Sequence, residues 1–285
     1  MQRVALLGLG TMGAGMAANW LAKGFALSVW NRTAAKAQPF AAQGAKVAGT
    51  PRDAATDADF IFSMVADDAA SRAVWLGPDG ALAGAQPGVV AVESSTLTPG
   101  WVRELSKRAS EKGCGFLDAP VGASRQAAAA GALIFFVGGD EATLEKARPA
   151  LAAVGVKINA LGPTGAGATW KLINNHLIAA QIASLAEAVS LARKAGFTAE
   201  QISNLILNGS SASPIVQIKL PRMLERNFEE TDFALYLMVK DVRYAMDLAT
   251  SLGVPADMAA AAAAVFTRAK SKGLGEKDFS AVAAG

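Results

Sequence analysis

The sequence is poor in the residues that build metal and disulfide sites. Its 285 residues include one cysteine, Cys114, and one histidine, His176. A single cysteine cannot form an internal disulfide, and a single imidazole excludes any site that needs two histidine ligands. We therefore expect no metal centre, and a secreted protein stabilised by disulfides is disfavoured.

Charged residues are also scarce. They make up 18% of the chain, and 27 basic against 24 acidic side chains leave a formal net charge of +3 without a long basic run. Proteins that bind nucleic acids instead concentrate positive charge on one face or segment. The composition therefore disfavours a nucleic-acid partner.

Long hydrophobic runs are missing too. Residues 4–22 are uncharged and follow Arg3, an arrangement that superficially resembles a signal peptide or a membrane span. Four glycines interrupt this stretch, however, and its compact apolar part covers only residues 4–7. We expect no membrane association and a cytoplasmic location.

The chain does contain 52% hydrophobic residues, enough to bury a sizeable core. In the first half, short apolar runs alternate with helical stretches. The predicted strands cover residues 4–7, 26–30, 60–65, 89–92, 115–117 and 134–137, and the predicted helices include 12–23, 34–43 and 101–111. Strands that alternate with helices indicate an α/β domain, in which a parallel sheet has helices on both faces.

The pattern changes after about Leu161. Glycines and a proline interrupt residues 162–167, and only helical patterns follow. The first of them, 168–194, is unusually long and is expected to join two domains. The later helices are predicted over 199–208, 214–225, 234–251 and 256–272. We therefore predict an α/β domain over residues 1–163 and an all-helical domain over residues 164–285.

The strongest local signal is a G-x-G-x-x-G motif at the first predicted strand-to-helix turn. Its residues are Gly8, Leu9, Gly10, Thr11, Met12 and Gly13. In a Rossmann-type doubly wound sheet, the first glycine permits a tight turn, the second admits a pyrophosphate, and the third allows the helix to pack on the strand. The pyrophosphate then lies at the helix N-terminus, which favours an anion. The motif predicts dinucleotide binding; a tight turn without a ligand is the alternative.

The end of the second predicted strand favours NADP(H) over NAD(H). An NAD site has Asp or Glu about 20 residues after the glycines, to bind the ribose 2′-hydroxyl. This chain has Asn31 there, followed by Arg32, Thr33 and Lys36. A guanidinium and a hydroxyl bind the 2′-phosphate that a carboxylate would repel. The alternative is that Arg32 and Lys36 are a solvated helix start and that cofactor specificity is loose.

A third feature lies near the start of the long predicted helix. Lys171 and Asn175 are four residues apart and share a helix face, whereas His176 lies about 100° away and is expected to be structural. If that face lines a substrate site, the Lys171 ammonium can protonate the oxygen that hydride transfer leaves negative. Spacing alone favours a lysine whose head group is solvated.

Five motifs in this order resemble the β-hydroxyacid dehydrogenase family over essentially the whole chain. They are the glycine turn with Met-Ala-Ala-Asn at 16–19, Ser95-Thr96, Asp-Ala-Pro-Val at 118–121, the segment from Gly167 through Lys171 to Asn175, and Lys240-Asp241. The family includes 3-hydroxyisobutyrate dehydrogenases and glyoxylate and succinic semialdehyde reductases. The chain looks nearest to the second of these branches.

The resemblance implies roles for individual residues. Lys171 is implied as the catalytic acid in reduction, and Asn175 as a residue that orients the substrate. The positions implied near the nicotinamide half of the cofactor are Met64, Val65, Ala66 and Thr96, with Lys240 reaching the cofactor from the helical domain. The positions implied at the substrate include Ser95, Phe233 and Asp241. The resemblance also implies that the helical domain serves substrate binding and dimerisation, so a homodimer or homotetramer is expected.

One loop departs from the family pattern. After Asp-Ala-Pro-Val the family usually has Ser-Gly-Gly or Ser-Gly-Ser, which holds the substrate carboxylate, but this chain has Gly122, Ala123 and Ser124. Backbone N–H groups, the Ser124 hydroxyl and Arg125 at the rim are the remaining candidates for binding a carboxylate. Ser124-Arg125 resembles the Ser-Lys of the glyoxylate and succinic semialdehyde branch.

These features predict an NADPH-dependent reductase of short aldehyde acids, reversible as a β-hydroxyacid dehydrogenase, with Lys171 as general acid. Two alternatives remain. Imine reductases share this architecture and an Asn-Arg-Thr turn, but they generally carry Asp or Tyr at the position of Lys171. A non-catalytic NADP-sensing module would keep the fold, although nothing structural requires Lys171, Asn175 and Lys240 together.

Overall fold

The computed structural model describes residues 1–122 and 124–285, so the predicted loop residue Ala123 lies outside the described residues. These residues form two compact units, Met1–Lys171 and Leu172–Gly285. Within the described ranges, no helix is both long enough and apolar enough to cross a membrane.

A β-sheet forms the centre of the first unit. Its described strands are β1 (Arg3–Leu7), β2 (Ala26–Trp30), β3 (Lys46–Val47), β4 (Phe60–Ser63), β5 (Val90–Glu93), β6 (Gly115–Asp118), β7 (Val121–Gly122), β8 (Leu133–Gly138) and β9 (Gly155–Gly162). Strands β3-β2-β1-β4-β5-β6 are adjacent in that order and run parallel. This is the doubly wound order of dinucleotide-binding sheets, so the predicted fold class is confirmed.

Short helices connect these strands. In chain order they are α1 (Thr11–Ala22), α2 (Gln38–Ala41), α3 (Pro51–Ala55), α4 (Asp68–Trp75), α5 (Ala81–Gly84), α6 (Pro99–Glu111), α7 (Arg125–Ala129) and α8 (Glu141–Ala152). Side-chain caps fix where several begin: the Asp67 carboxylate accepts from the backbone of α4, and the Thr98 hydroxyl from that of α6. Strand β9 leads into the long helix α9 (Ala166–Lys194).

Both faces of the sheet are buried, as the alternation of strands and helices predicts. Along β1, Val4 and Leu6 belong to one hydrophobic core, and Ala5 and Leu7 belong to the core on the opposite face. All four side chains are at most 1% exposed. A strand covered on both sides shows a continuous apolar run, which is why residues 4–7 do not alternate with polar residues.

The sheet is not purely parallel, which corrects the sequence prediction. Strand β8 runs antiparallel to both β6 and β7, and it pairs in parallel with β9. The short strands β3 and β7 and the strand β9 were not predicted. Most residues of β9 are exposed or half-buried, so it lacks the apolar run by which a buried strand is recognised.

The predicted helix over residues 34–43 is wrong. The segment forms a 3₁₀ turn, Ala34–Lys36, followed by the four-residue helix α2. Pro39 lies in the first turn of α2. A proline has no N–H to donate to the carbonyl four residues earlier, so a helix that begins at Ala34 lacks that hydrogen bond at Pro39.

The second unit consists of helices. After the remainder of α9 they are α10 (Ala199–Leu207), α11 (Pro214–Glu225), α12 (Leu235–Ser251) and α13 (Asp257–Ala269), followed by a π-helical turn, Lys270–Leu274, and a 3₁₀ turn, Phe279–Ala284. These bounds match the predicted helices closely, except that 256–272 ends early. Helix α10 begins with a capping box between Thr198 and Gln201.

A buried ion cluster lies inside the helical unit. Lys219 on α11 is only 2% exposed, and its Nζ lies 2.9 Å from Asp278 Oδ2 and 3.2 Å from Asp232 Oδ2. Arg222 pairs with Asp232 at 2.9 Å. The cluster therefore joins α11 to the chain segments before α12 and at the C-terminal end.

Candidate functional site

The glycine turn has the geometry that a phosphate-binding turn requires. Gly8 has φ +107°, and a Cβ there would lie 2.2 Å from the Met64 carbonyl oxygen. A Cβ on Gly13 would lie 2.1 Å from the Gly8 carbonyl oxygen. Packing within the chain thus requires glycine at the first and third positions.

Packing does not explain the second glycine. A Cβ on Gly10 would meet no atom within 4 Å, so the space beside it is open. Gly10 is also the N-cap of α1 and has no side chain to bind the first N–H groups of that helix. An open approach to unpaired N–H groups at a helix N-terminus fits a pyrophosphate. The residues of the turn therefore fit a dinucleotide.

Asn31 holds the glycine turn from the end of β2. Its Oδ1 accepts from the Leu9 N–H at 2.9 Å, and its Nδ2 donates to the Thr33 carbonyl oxygen at 2.9 Å. The side chains of Arg32, Thr33 and Lys36 are exposed. Two basic groups and a hydroxyl are thus present at the strand end where a carboxylate would mark an NAD site.

Two further loops at the carboxyl ends of the parallel strands contact each other. The Met64 N–H donates to the Leu7 carbonyl oxygen at 2.9 Å, and the Val65 N–H donates to Ser95 Oγ at 2.8 Å. Ser95 is only 2% exposed, Thr96 is half-buried, and Ala66 is exposed. The structure therefore brings Met64, Val65 and Ser95 together beside the glycine turn.

Sequence reasoning missed a fully buried carboxylate beneath these loops. Glu93, the last residue of β5, accepts from Ser71 Oγ at 2.6 Å, Trp75 Nε1 at 2.8 Å and the Ser95 N–H at 2.9 Å. Burial raises its pKa, and the three hydrogen bonds oppose that rise. The sequence contains one sign of this site, because an acidic residue directly follows an apolar predicted strand.

A second buried carboxylate anchors the start of α9. Asp118 Oδ1 accepts from the Gly165 N–H and Oδ2 from the Ala168 N–H, both at 2.8 Å. Burial raises the pKa of Asp118 to about 6, against the opposing effect of these hydrogen bonds. Lys171 follows one turn later on α9 and is half-buried. The Asp-Ala-Pro-Val motif thus fixes the helix turn that precedes the candidate acid.

Gly167 closes the contact between these motifs. A Cβ on Gly167 would lie 2.2 Å from the Phe136 carbonyl oxygen and 2.7 Å from that of Asp118. Any side chain at this position would push α9 away from strands β6 and β8. The glycine that precedes Lys171 is therefore required by packing.

In the helical unit, three of the predicted site residues contact one another. Asn175 is 3% exposed, and its Nδ2 donates to Asp241 Oδ2 at 2.6 Å. Lys240 Nζ lies 2.9 Å from Asp241 Oδ1. Asp241 is fully buried, and it is hydrogen-bonded to Asn175 and ion-paired with Lys240.

The other two candidates in this unit have different surroundings. Phe233 is half-buried and packs edge-to-face on Phe279, with ring centroids 5.7 Å apart. His176 is also half-buried, and its buried Nδ1 has no hydrogen-bond partner among the described residues.

The loop that departs from the family pattern lies against an aromatic ring of its partner strand. Gly122 on β7 pairs with Ile134 on β8, and a Cβ on Gly122 would lie 3.0 Å from Phe136 Cε2. A side chain at position 122 would therefore require the ring to shift. The exposed Ser124 is the N-cap of α7, where its Oγ accepts from the Ala127 N–H at 3.3 Å.

Comparison with known proteins agrees with this architecture. A family model described as the NAD binding domain of 6-phosphogluconate dehydrogenase matches residues 3–162. A second model, described as NAD-binding of NADP-dependent 3-hydroxyisobutyrate dehydrogenase, matches residues 165–284. Together the two models account for nearly the whole chain.

Individual relatives extend over the same length. The chain is 36% identical to glyoxylate/succinic semialdehyde reductase 2, chloroplastic, of Arabidopsis thaliana, over 98% of this chain and 78% of that protein. It is also 36% identical to the cytokine-like nuclear factor N-PAC of Xenopus tropicalis, over 99% of this chain and 52% of that protein. The chain thus spans about half the length of the N-PAC relative.

A solved structure resembles this chain in both fold and sequence. The 3-hydroxyisobutyrate dehydrogenase of Mycobacterium tuberculosis with L-serine has a TM-score of 0.89 and 33% identity, covering 100% of this chain and 98% of that one. The resemblance found in the sequence is therefore confirmed. The chain belongs to the β-hydroxyacid dehydrogenase family.

Proposed function

We propose that this protein is an NADPH-dependent reductase of short aldehyde acids that also runs in reverse as a β-hydroxyacid dehydrogenase. The observation that carries the proposal is the anchoring of α9 by Asp118, which holds the turn before Lys171 inside the dinucleotide-binding unit. A lysine held there has the chemistry of a general acid.

The cofactor would be held by residues of the first unit. The open glycine turn and the N-terminus of α1 would bind the pyrophosphate. Arg32, Thr33 and Lys36 would bind the 2′-phosphate, which is the basis for proposing NADP(H) over NAD(H). Met64, Val65, Ala66 and Thr96 would line the nicotinamide half. When bound, the reduced nicotinamide supplies a hydride to the carbonyl carbon of the substrate.

The side chains of the protein would handle the proton and the substrate. As the carbonyl oxygen gains negative charge, the Lys171 ammonium donates a proton to it. Asn175 would orient the substrate, and its amide is held in one rotamer by the bond to Asp241. Lys240 would serve the cofactor, and Phe233 and Asp241 would complete the substrate-binding set.

The substrate class rests on the altered loop. Because Gly122 has no hydroxyl to offer, a substrate carboxylate would depend on backbone N–H groups, on the Ser124 hydroxyl and on Arg125. The Arabidopsis relative is named for glyoxylate and succinic semialdehyde, which are short aldehyde acids, and its name supports this substrate class.

We also propose that the chain assembles into a homodimer or homotetramer. Large apolar side chains on α9 are exposed in the single chain, with Ile173 38% and Leu177 53% exposed. Such side chains are common in subunit interfaces. Light scattering of the purified protein would give the mass of the assembly.

A substrate screen tests the proposed reaction. Oxidation of NADPH would be followed with glyoxylate and with succinic, tartronic and methylmalonic semialdehydes, with NADH run beside it and a cyclic imine as comparison. We expect turnover with at least one aldehyde acid, and a higher kcat/KM with NADPH than with NADH. Turnover of the imine alone would contradict the proposed substrate class, and equal use of the two cofactors would contradict the role of Arg32.

A further inference from the structure

Glu93 is a buried acid that the proposed reaction does not use. Its side chain is fully buried at the end of β5. Its carboxylate accepts hydrogen bonds from uncharged O–H and N–H groups of the described residues. An ionised carboxylate only accepts, so it matches this set of donors. Burying an acid costs free energy, so a contribution of Glu93 elsewhere in the unit is expected to offset that cost.

One carboxylate oxygen is fixed by helices that cover the sheet. Oε2 accepts from Ser71 Oγ at 2.6 Å and from Trp75 Nε1 at 2.8 Å, and both donors belong to α4. Ser71 Oγ in turn accepts from Trp101 Nε1 of α6 at 2.9 Å. The carboxylate is therefore attached to two helices of the scaffold.

The other oxygen is attached to the loops at the carboxyl ends of the strands. Oε1 accepts from the Ser95 N–H at 2.9 Å, and Ser95 Oγ accepts from the Val65 N–H at 2.8 Å. The 64–65 loop in turn abuts the glycine turn: an added Cβ on Gly8 would lie 2.2 Å from the Met64 carbonyl oxygen and 3.3 Å from Val65 Cγ1. Continuous contacts thus lead from Glu93 to the glycine turn.

From these contacts we infer that Glu93 is a positioning residue: through Ser95 and Val65 it holds the 64–65 loop against the glycine turn and thereby sets the affinity for the dinucleotide. The inference rests on the proposed function only in that the dinucleotide binds at this turn. In open α/β sheets, ligands bind outside the carboxyl ends of the strands, where these loops lie.

The test variant is Glu93→Gln, which keeps the size of the side chain. Its amide group must point an NH₂ at former donors, either at the Ser95 N–H or at the pair on α4, so at least one hydrogen bond is lost. We expect the Kd of NADPH, measured without substrate, to rise about tenfold. At saturating cofactor, kcat should change by less than about threefold, because the group that donates the proton is untouched.

A double-mutant cycle with Ser95→Ala separates positioning from general stability. Ser95→Ala removes the hydroxyl that holds Val65 and should raise the Kd about fivefold. If Glu93 acts through Ser95, the effect of Glu93→Gln on the Kd should largely disappear in the Ser95→Ala background, whereas its effect on Tm should remain. Ser94→Ala is the matched control, because the buried Ser94 hydroxyl has no hydrogen-bond partner in the described residues.

Several results would overturn the inference. A lower Tm for Glu93→Gln with a Kd within about twofold of the unmodified protein would make the role purely structural. Additive effects in the cycle would exclude action through Ser95. If Glu93→Gln does not fold, Ser95→Ala decides: weaker NADPH binding supports the inference, and unchanged binding overturns it. An unmodified protein that binds NADPH but reduces no aldehyde acid would contradict the proposed reaction alone.

Discussion

Glu93 in the first unit and Asp278 in the second are both fully buried carboxylates, but different groups surround them. Uncharged groups of the described residues donate to Glu93, among them the Ser71 hydroxyl, Trp75 Nε1 and the Ser95 N–H, and burial raises its pKa. Burial also favours the protonated form of Asp278, but hydrogen bonds from Ser280 and the ammonium of Lys219 outweigh it and lower the pKa. Asp118 of the first unit resembles Glu93, with a pKa raised to about 6.

This difference separates two uses of a buried acid. In the dinucleotide-binding unit, ionisation of Glu93 and Asp118 costs free energy, and the two carboxylates hold a loop and a helix start beside the candidate site. In the helical unit, cations compensate Asp278, and the cluster joins helix α11 to the C-terminal segment. The buried acids of the first unit thus hold a loop and a helix start in place, whereas the buried acid of the second unit stabilises the packing of its helices.

The largest effect is expected when the compensated acid loses its cation. Lys219→Met leaves Asp278 buried beside Arg222 alone, and we expect a loss of about 3–5 kcal/mol in the unfolding free energy of the helical unit. The exposed pair of Lys277 and Glu229 provides the control, because Lys277→Met should cost less than about 1 kcal/mol. Chemical denaturation of both variants measures the difference. Equal losses would remove the contrast between the buried cluster and a surface pair.

The next effect distinguishes the two kinds of acid by pH. Because the pKa of Asp118 is raised to about 6 in the folded state, Asp118 ionises first in the unfolded chain. The folded state therefore loses stability relative to the unfolded chain as pH rises from about 4 to about 6. Asp118→Asn removes this titration. Relative to the unmodified protein, the variant should gain on the order of 2–3 kcal/mol of stability across that interval. Asp278, whose pKa is lowered, acts with the opposite sign: its stabilisation is present at neutral pH and is lost in acid.

Denaturation curves at several pH values measure this change. A stability difference between Asp118→Asn and the unmodified protein that stays constant from pH 4 to 7 would contradict the raised pKa of Asp118. If the stability of Asp118→Asn relative to the unmodified protein falls over the same interval, the pKa of Asp118 is lowered in the folded state, not raised.

The smallest effect concerns a single neutral donor. Ser71→Ala removes two hydrogen bonds, the one donated to Glu93 and the one accepted from Trp101 Nε1, but leaves Trp75 on the same carboxylate oxygen, so we expect a loss of about 2 kcal/mol. Ser63→Ala is the matched variant, since the buried Ser63 hydroxyl has no partner among the described residues and its removal should change stability little. Thermal unfolding compares them. A larger loss from Ser63→Ala would show that cavity formation, not the hydrogen bonds, sets the cost.

Features that depend on neighbouring residues could be predicted from the sequence. The glycine spacing predicts a tight turn and close helix packing, and the structure has φ +107° at Gly8 and no room for a Cβ at Gly13. The helices of the second unit follow from apolar periodicity and caps such as Thr198. Pro39, which interrupts the segment 34–43, is likewise a local signal in the sequence.

Features that depend on distant partners could not be predicted. The role of Glu93 requires Ser71 and Trp75, which lie 22 and 18 residues away, and that of Asp118 requires Gly165, 47 residues away. The glycine at position 122 is visible in the sequence, but its neighbour, the ring of Phe136, lies on a strand whose register no local pattern specifies.

The proposed reaction requires Lys171 to donate the proton during reduction, and the kcat of Lys171→Ala with the best aldehyde acid measures this role. We expect a fall of at least about tenfold, an effect of ~1.4 kcal/mol, with the Kd of NADPH unchanged. Lys194→Ala, at the exposed far end of the same helix, should behave like the unmodified protein. A Lys171→Ala variant that keeps more than about a tenth of the kcat would show that another group donates the proton.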